Sequence, residues 1–204
     1  MERKILRTAR SRQKEFRHLH IGLTGSMASG KGELARFLKG LNFSYISLSD
    51  MVREAASQKG QKNISRQNMQ NIGNKLRQQG GPGILAKQVR KKINSTKKKT
   101  WIIDGIRNPE EVIELKKLTH FYLIGVKSDL EVLLKRLNSR NRETDQAQPS
   151  ELKQVLRREW GNGEPTGGQQ VGRCMELADF TIENNGTLME LKKKMSKNSK
   201  FDRG

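Results

Sequence analysis

HLHIGLTGSMASGKGELARFL, residues 18–38, decides the fold. An apolar run, His18–Leu23, leads directly into Gly25-Ser26-Met27-Ala28-Ser29-Gly30-Lys31-Gly32, and a helical pattern follows from Glu33 to Leu38. G-x-x-x-x-G-K between a strand and a helix is the spacing of a loop built to hold phosphate. Gly25 and Gly30 admit backbone angles that a Cβ would forbid, so successive N–H groups can converge on anionic oxygens. The helix that follows adds the positive end of its dipole. Lys31 supplies a point charge for β- and γ-phosphates. Gly25, Ser26, Met27, Ala28, Ser29, Gly30, Lys31, Gly32 and Glu33 are therefore the expected ATP-binding residues.

Four more apolar runs follow: Phe43–Leu48, Trp101–Ile103, Phe121–Val126 and Phe180–Ile182. Helical patterns, mostly longer than ten residues, separate them. Ser128 and Glu131 have capping-box spacing before Leu130, Val132, Leu133, Leu134 and Leu137, and Thr187 and Glu190 repeat it before the last helix. Strands alternating with helices predict a parallel sheet covered on both faces.

Trp101-Ile102-Ile103-Asp104-Gly105-Ile106-Arg107 is the second informative stretch. An Asp at the C-terminal end of an apolar strand can orient Mg²⁺-bound water beside the phosphate loop; Asp-Gly as a plain turn is the alternative. Arginines form the third element. Arg53, Arg66, Arg77, Arg107, Arg136, Arg140 and Arg142 fall in loops or at helix ends. Guanidinium forks suit phosphate oxygens, and phosphoryl transfer depends on placement and charge neutralisation.

Charge and composition bound the reading from outside. The 204 residues carry 41 Lys+Arg against 21 Asp+Glu, net +20. Residues 1–17 hold seven basic and two acidic side chains, and residues 192–204 hold six and one, so each end contributes +5. A further basic cluster runs from Lys87 to Lys99. The apolar share, 33% plus 19 glycines in 204, suffices for a single core. No run of about 18 apolar residues exists, so no membrane helix is expected. The one cysteine, Cys174, excludes a disulfide scaffold and fits a cytoplasmic, reducing setting. Expected domain bounds are a basic tail at 1–17, a P-loop domain at 18–196 with a lid at about 138–148, and a basic tail at 197–204. His18, His20 and His120 flank strands without metal-ligand spacing, and Cys174 reads as core.

With these motifs in this order, residues 19–195 resemble the nucleoside monophosphate kinase group of P-loop proteins. The similarity is to archaeal-type adenylate-kinase-like proteins, dephospho-coenzyme A kinases and the kinase-like domain attached to some deoxycytidylate deaminases. Gly32 after Lys31 is the G-K-G form of adenylate kinases, and Asp104-Gly105-Ile106-Arg107 resembles the D-G-I-R of these relatives. Ser49–Glu54 is similar to their acceptor-binding D-x-x-R, with Asp50 and Arg53 in register, and Asn71–Gly80 resembles the next stretch and offers Arg77. Arg136, Arg140 and Arg142 resemble a short lid that closes over the donor phosphates, and Ala178–Gly186 resembles the loop beside the donor base.

The resemblance implies a three-layer α/β/α P-loop NTPase fold. Its five-stranded parallel sheet has order 2-3-1-4-5 and carries short acceptor-binding and lid insertions. It implies transfer of the ATP γ-phosphoryl group to a (deoxy)nucleoside monophosphate. Asp50, Arg53, Arg77 and Arg107 would hold the acceptor, and Lys31, Arg107, Arg136, Arg140 and Arg142 would be catalytic. Mg²⁺ would be reached through water from Asp104. Three alternatives stand beside it: a dephospho-coenzyme A kinase-like reaction on a hydroxyl with Asp50 as base, a nucleotide sensor with little turnover, and a nucleic-acid-associated NTPase or polynucleotide kinase. The expected partner is a small phosphorylated acceptor, with non-specific polyanion contact through the tails and no membrane. Glu164–Gly172 fits no part of the resemblance; it reads either as an acceptor-facing loop or, by preference, as a flexible connection.

Overall fold

Each apolar run becomes a strand in the computed structural model, which describes residues 18–58, 60–61, 64–139 and 148–197. The tails at 1–17 and 198–204, and Arg140 and Arg142 of the expected lid, lie outside the described residues. The strands are β1 (Leu19–Thr24), β2 (Ser44–Ser47), β3 (Thr100–Ile106), β4 (Phe121–Lys127) and β5 (Phe180–Glu183). They form one parallel sheet in the order β2-β3-β1-β4-β5, as expected.

The helices among the described residues are α1 (Lys31–Gly40), α2 (Leu48–Ser57), α3 (Arg66–Gly80), α4 (Ile84–Asn94), α5 (Pro109–Leu115), α6 (Leu130–Ser139), α7 (Pro149–Trp160), α8 (Val171–Glu176) and α9 (Leu188–Lys197). None is long and apolar enough to cross a membrane.

Burial on both faces explains why the strands read as near-continuous apolar runs. On β3, Trp101 and Ile103 pack with Leu85 and Val89 of α4 and Val112 of α5. Ile102, between them, faces the opposite side with Leu34 and Leu38 of α1 and Leu191 of α9. A third cluster joins Met27 and Ala28 of the loop to Leu133 and Leu137 of α6 and Leu152 and Leu156 of α7. The phosphate-loop motif is thus packed from behind by the two helices that flank the expected lid.

Capping fixes several helix starts. Thr187 N donates to Glu190 Oε2 at 2.8 Å and Glu190 N to Thr187 Oγ1 at 3.2 Å, the reciprocal pattern expected there. Ser128 behaves otherwise. Its hydroxyl donates to Asn184 O at 2.6 Å, tying the start of α6 to the loop after β5.

Candidate phosphate loop and acceptor cleft

In an α/β sheet the crevice at the carboxyl ends of the strands is the binding edge, and the first strand delivers the Gly25–Gly32 loop there. Gly25 (φ 130°), Ala28 (φ 60°) and Gly30 (φ 106°) all take positive φ. A Cβ on Gly25 would collide with the Val126 carbonyl, and one on Gly30 with Asn184 Nδ2. Both glycines are therefore required by the local path of the chain. Asn184 Nδ2 donates to Ser29 O at 2.8 Å, which pins the loop to the segment after β5. Lys31 Nζ folds back over the loop, donating to Gly25 O and, at 2.8 Å, to Ser26 O. Ser29 Oγ is buried with no hydrogen-bond partner among the described residues. A glycine-lined cradle with an orphaned hydroxyl and an adjacent lysine fits a polyphosphate. Glu33 in the first turn of α1 accepts a hydrogen bond from Arg36 at 2.6 Å.

Asp104 lies near the C-terminal end of β3, paired with Leu23 of β1 just before the loop. Its Oδ1 accepts Gly105 N at 2.7 Å and its Oδ2 accepts the Tyr45 hydroxyl at 2.9 Å. Burial, and then the neighbouring Asp104 charge, push the Tyr45 pKa well above its ordinary value, so the phenol stays a donor. No three His, Cys, Asp or Glu side chains among the described residues converge into a metal cage. Asp104 is thus a lone, oriented carboxylate, suited to holding a cation through water and phosphate oxygens rather than by direct chelation.

A cleft opens next to Met27. Its apolar wall is Leu48, Val52, Met69 and Leu85, and its polar wall is Ser49, Arg66, Gln70, Arg77, Arg107 and Gln169. Three of the arginines named from sequence are here, and two of them, Arg77 and Arg107, are matched by buried carboxylates. Arg77, 2% exposed, donates from Nε and Nη2 to Glu111 Oε1 at 2.9 and 2.8 Å. Glu111, 0% exposed, uses Oε2 to accept the backbone N–H of Arg107 (2.8 Å) and Asn108 (3.1 Å). Arg107 Nη1 pairs with Glu159 of α7, also 0% exposed, and Glu159 Oε2 accepts Met27 N at 2.7 Å. One buried carboxylate therefore links α7, the phosphate loop and the end of β3.

The other expected residues sit elsewhere. Asp50 and Arg53 form an exposed i,i+3 pair on α2, 2.6 Å apart, and are not among the residues lining the cleft. Arg136 braces the back of the loop, donating to Ser128 Oγ (3.1 Å), Gly186 O (2.8 Å) and Ala28 O (3.4 Å). Glu164–Gly172, preferred as a flexible connection, is instead tied down. Glu164 pairs with Arg158 at 2.7 Å, Asn108 Nδ2 donates to Thr166 O and Gly168 O, and Gln170 N donates to Arg107 O at 2.6 Å. These contacts anchor the segment, and its Gln169 lines the cleft. Cys174 is core; burial, then Glu111, push its thiol up to about 12, so it stays protonated at neutral pH.

A phosphate cradle after the first strand of a β2-β3-β1-β4-β5 sheet defines a P-loop nucleotide-binding protein of kinase-like fold. The chain belongs to the AAA domain family, whose model matches residues 21–157, and to the UPF0200 proteins. It is 30% identical over 174 residues to the UPF0200 protein of Sulfurisphaera tokodaii, covering 85% of this chain and 92% of that one. To the UPF0200 protein of Methanoculleus marisnigri it is 32% identical, covering 83% and 89%. It is 33% identical to the UPF0200/UPF0201 protein of Archaeoglobus fulgidus, where the match spans 86% of this chain and 53% of the relative. Among solved structures, TT1252 from Thermus thermophilus superposes with a TM-score of 0.58 at 17% identity, covering 92% of this chain and 99% of that one. Shikimate kinase from Bacteroides thetaiotaomicron gives 0.55 at 13%, covering 90% and 97%. These two likenesses concern the fold.

Proposed function

We propose that the protein is an ATP-dependent phosphotransferase that moves the γ-phosphoryl group to a nucleotide-like acceptor, a (deoxy)nucleoside monophosphate. The observation that carries this reading is the adjacency of two sites: the phosphate loop, and a cleft lined by Arg66, Arg77 and Arg107 that opens at Met27 of the same loop. Loop N–H groups and Lys31 hold the donor phosphates. Arg107 stands between loop and cleft, where it neutralises charge on the group in transit. A bound Mg²⁺ supplies further charge neutralisation, with Asp104 as its water-mediated protein contact. An acceptor phosphate is already nucleophilic and needs no base. Asp50, the base in the hydroxyl-acceptor alternative, is paired to Arg53 away from the cleft lining, which favours a phosphate acceptor. Arg140 and Arg142 join the donor site on this reading, and the activity is placed in the cytoplasm.

The test is ADP release from ATP and Mg²⁺ across a panel of nucleoside monophosphates, dephospho-coenzyme A and 5′-hydroxyl oligonucleotides. ADP dependent on a nucleoside monophosphate is expected. ATP binding without turnover on any acceptor would instead make the protein a sensor. Turnover with oligonucleotide alone would make it a polynucleotide kinase.

A further inference from the structure

Gln70 and Gln169 lie side by side in the wall of the acceptor cleft, from α3 and from the segment before α8. They are 5% and 6% exposed. Gln70 Nε2 donates to Val155 O at 3.1 Å and to Gln169 Oε1 at 3.3 Å. A backbone carbonyl can only accept, so Val155 fixes which end of the Gln70 amide is nitrogen. Gln70 Oε1 is thereby fixed as an acceptor, and it is buried with no partner among the described residues. Gln169, whose Oε1 is taken by Gln70, retains its Nε2 as a donor with no partner among them. A buried amide oxygen without a donor is costly and rare. Two adjacent amides in one cleft leave an acceptor and a donor unspent, while Leu48, Val52, Met69 and Leu85 offer apolar surface around them.

We propose that this amide pair reads the nucleobase of the acceptor. Gln70 Oε1 accepts an N–H of the base edge, and Gln169 Nε2 donates to the neighbouring ring nitrogen or carbonyl. Side-chain amides pair bidentately with such donor–acceptor edges, and the apolar wall packs the ring. A sugar phosphate without a base would leave Gln70 Oε1 unsatisfied, and sites of this kind discriminate strongly against such analogues. The proposal rests on the acceptor cleft of the preceding reading but not on turnover.

The test is calorimetric binding of four nucleoside monophosphates, ribose 5-phosphate and ATP to the full chain and to Gln70→Met and Gln169→Met. At least one nucleoside monophosphate is expected to bind far more tightly than ribose 5-phosphate. Each variant should narrow that ratio about tenfold, the worth of one uncharged hydrogen bond, while leaving ATP affinity and the melting profile near those of the wild type. Affinity for nucleoside monophosphates no better than for ribose 5-phosphate would overturn the proposal, as would variants that preserve the ratio or weaken all three ligands equally. Selective binding lost in the variants, with no ADP formed, would sustain base reading while refuting phosphotransfer. Turnover with an unchanged ratio in the variants would do the reverse.

Discussion

Glu111→Ala is the sharpest test of how the cleft is held. Glu111 is fully buried and serves two clients. Oε1 takes two nitrogens of Arg77, and Oε2 takes the N–H groups of Arg107 and Asn108 at the start of α5. Truncation strands a guanidinium that is 2% exposed. Removing one partner of a buried ion pair costs about 3–5 kcal/mol, because the remaining charge keeps its desolvation penalty. The two freed N–H groups add to this, although water entering the space left by the side chain can recover part of it. Counting the ion pair alone, a domain of this size loses about 2–4 °C per kcal/mol, which gives a fall in Tm of roughly 6–20 °C. The double variant Arg77→Met/Glu111→Met removes both charges in favour of apolar volume and should recover most of that loss. Circular dichroism melts of the wild type, the single and the double variant decide the matter. A Glu111→Ala protein melting within about 2 °C of wild type, or a double variant no more stable than the single, would refute the reasoning.

Lys31→Met should lower turnover by about 10²–10³-fold, the scale of removing one charge-stabilising donor, with little change in Tm because Lys31 is only partly buried and bonds loop carbonyls; steady-state kinetics and melts check both. Gly30→Ala forces a side chain into φ 106° and against Asn184; strain of about 1–3 kcal/mol should appear as a lower Tm and weakened ATP binding by calorimetry. His20, buried and bonded through Nδ1 to Thr119 O at 2.8 Å, has its pKa lowered from 6.5, first by burial. The unfolded chain then takes up the proton more readily, so its stability contribution is full above about pH 6.5 and falls as pH drops below it; Tm measured against pH should show a shallower acid-side decline in His20→Asn. Deleting residues 1–17 and 198–204 removes +5 from the first segment and part of the second; acceptor kinetics should hold, and salt-sensitive retention on a polyanion column should weaken.

The sheet and the phosphate loop were legible in the sequence for one physical reason: their residue choices answer to local constraints. Gly25 and Gly30 are demanded by backbone angle, and Trp101–Ile103 alternates between two buried faces. The acceptor cleft was only half legible. Asp50 and Arg53 stand at the i,i+3 spacing that also makes an ordinary helix-surface pair, and that is what they form. Glu111, Glu159, Gln70 and Gln169 went unread because their partners are remote: Glu159 meets Met27 from 132 residues away, and Gln70 meets Gln169 from 99. A glutamate or glutamine on an amphipathic helix carries no mark of whether it faces water or a buried arginine.

That blindness also biases how the arginines are counted. Summed from sequence, the cleft looks strongly cationic; in the fold, Arg77 is committed to Glu111 and Arg107 to Glu159. On the proposed reading, a phosphate entering the cleft would meet in Arg77 and Arg107 guanidinium groups whose charge is already balanced, and it would have to share or displace Glu159 to gain the full hold of Arg107. Glu159 also holds Met27 N, so such a displacement would be felt at the phosphate loop itself. Proposed binding in the cleft and the phosphate loop would in this way be linked through one carboxylate. On that reading Glu159 would decide how much of the charge of Arg107 a substrate can use.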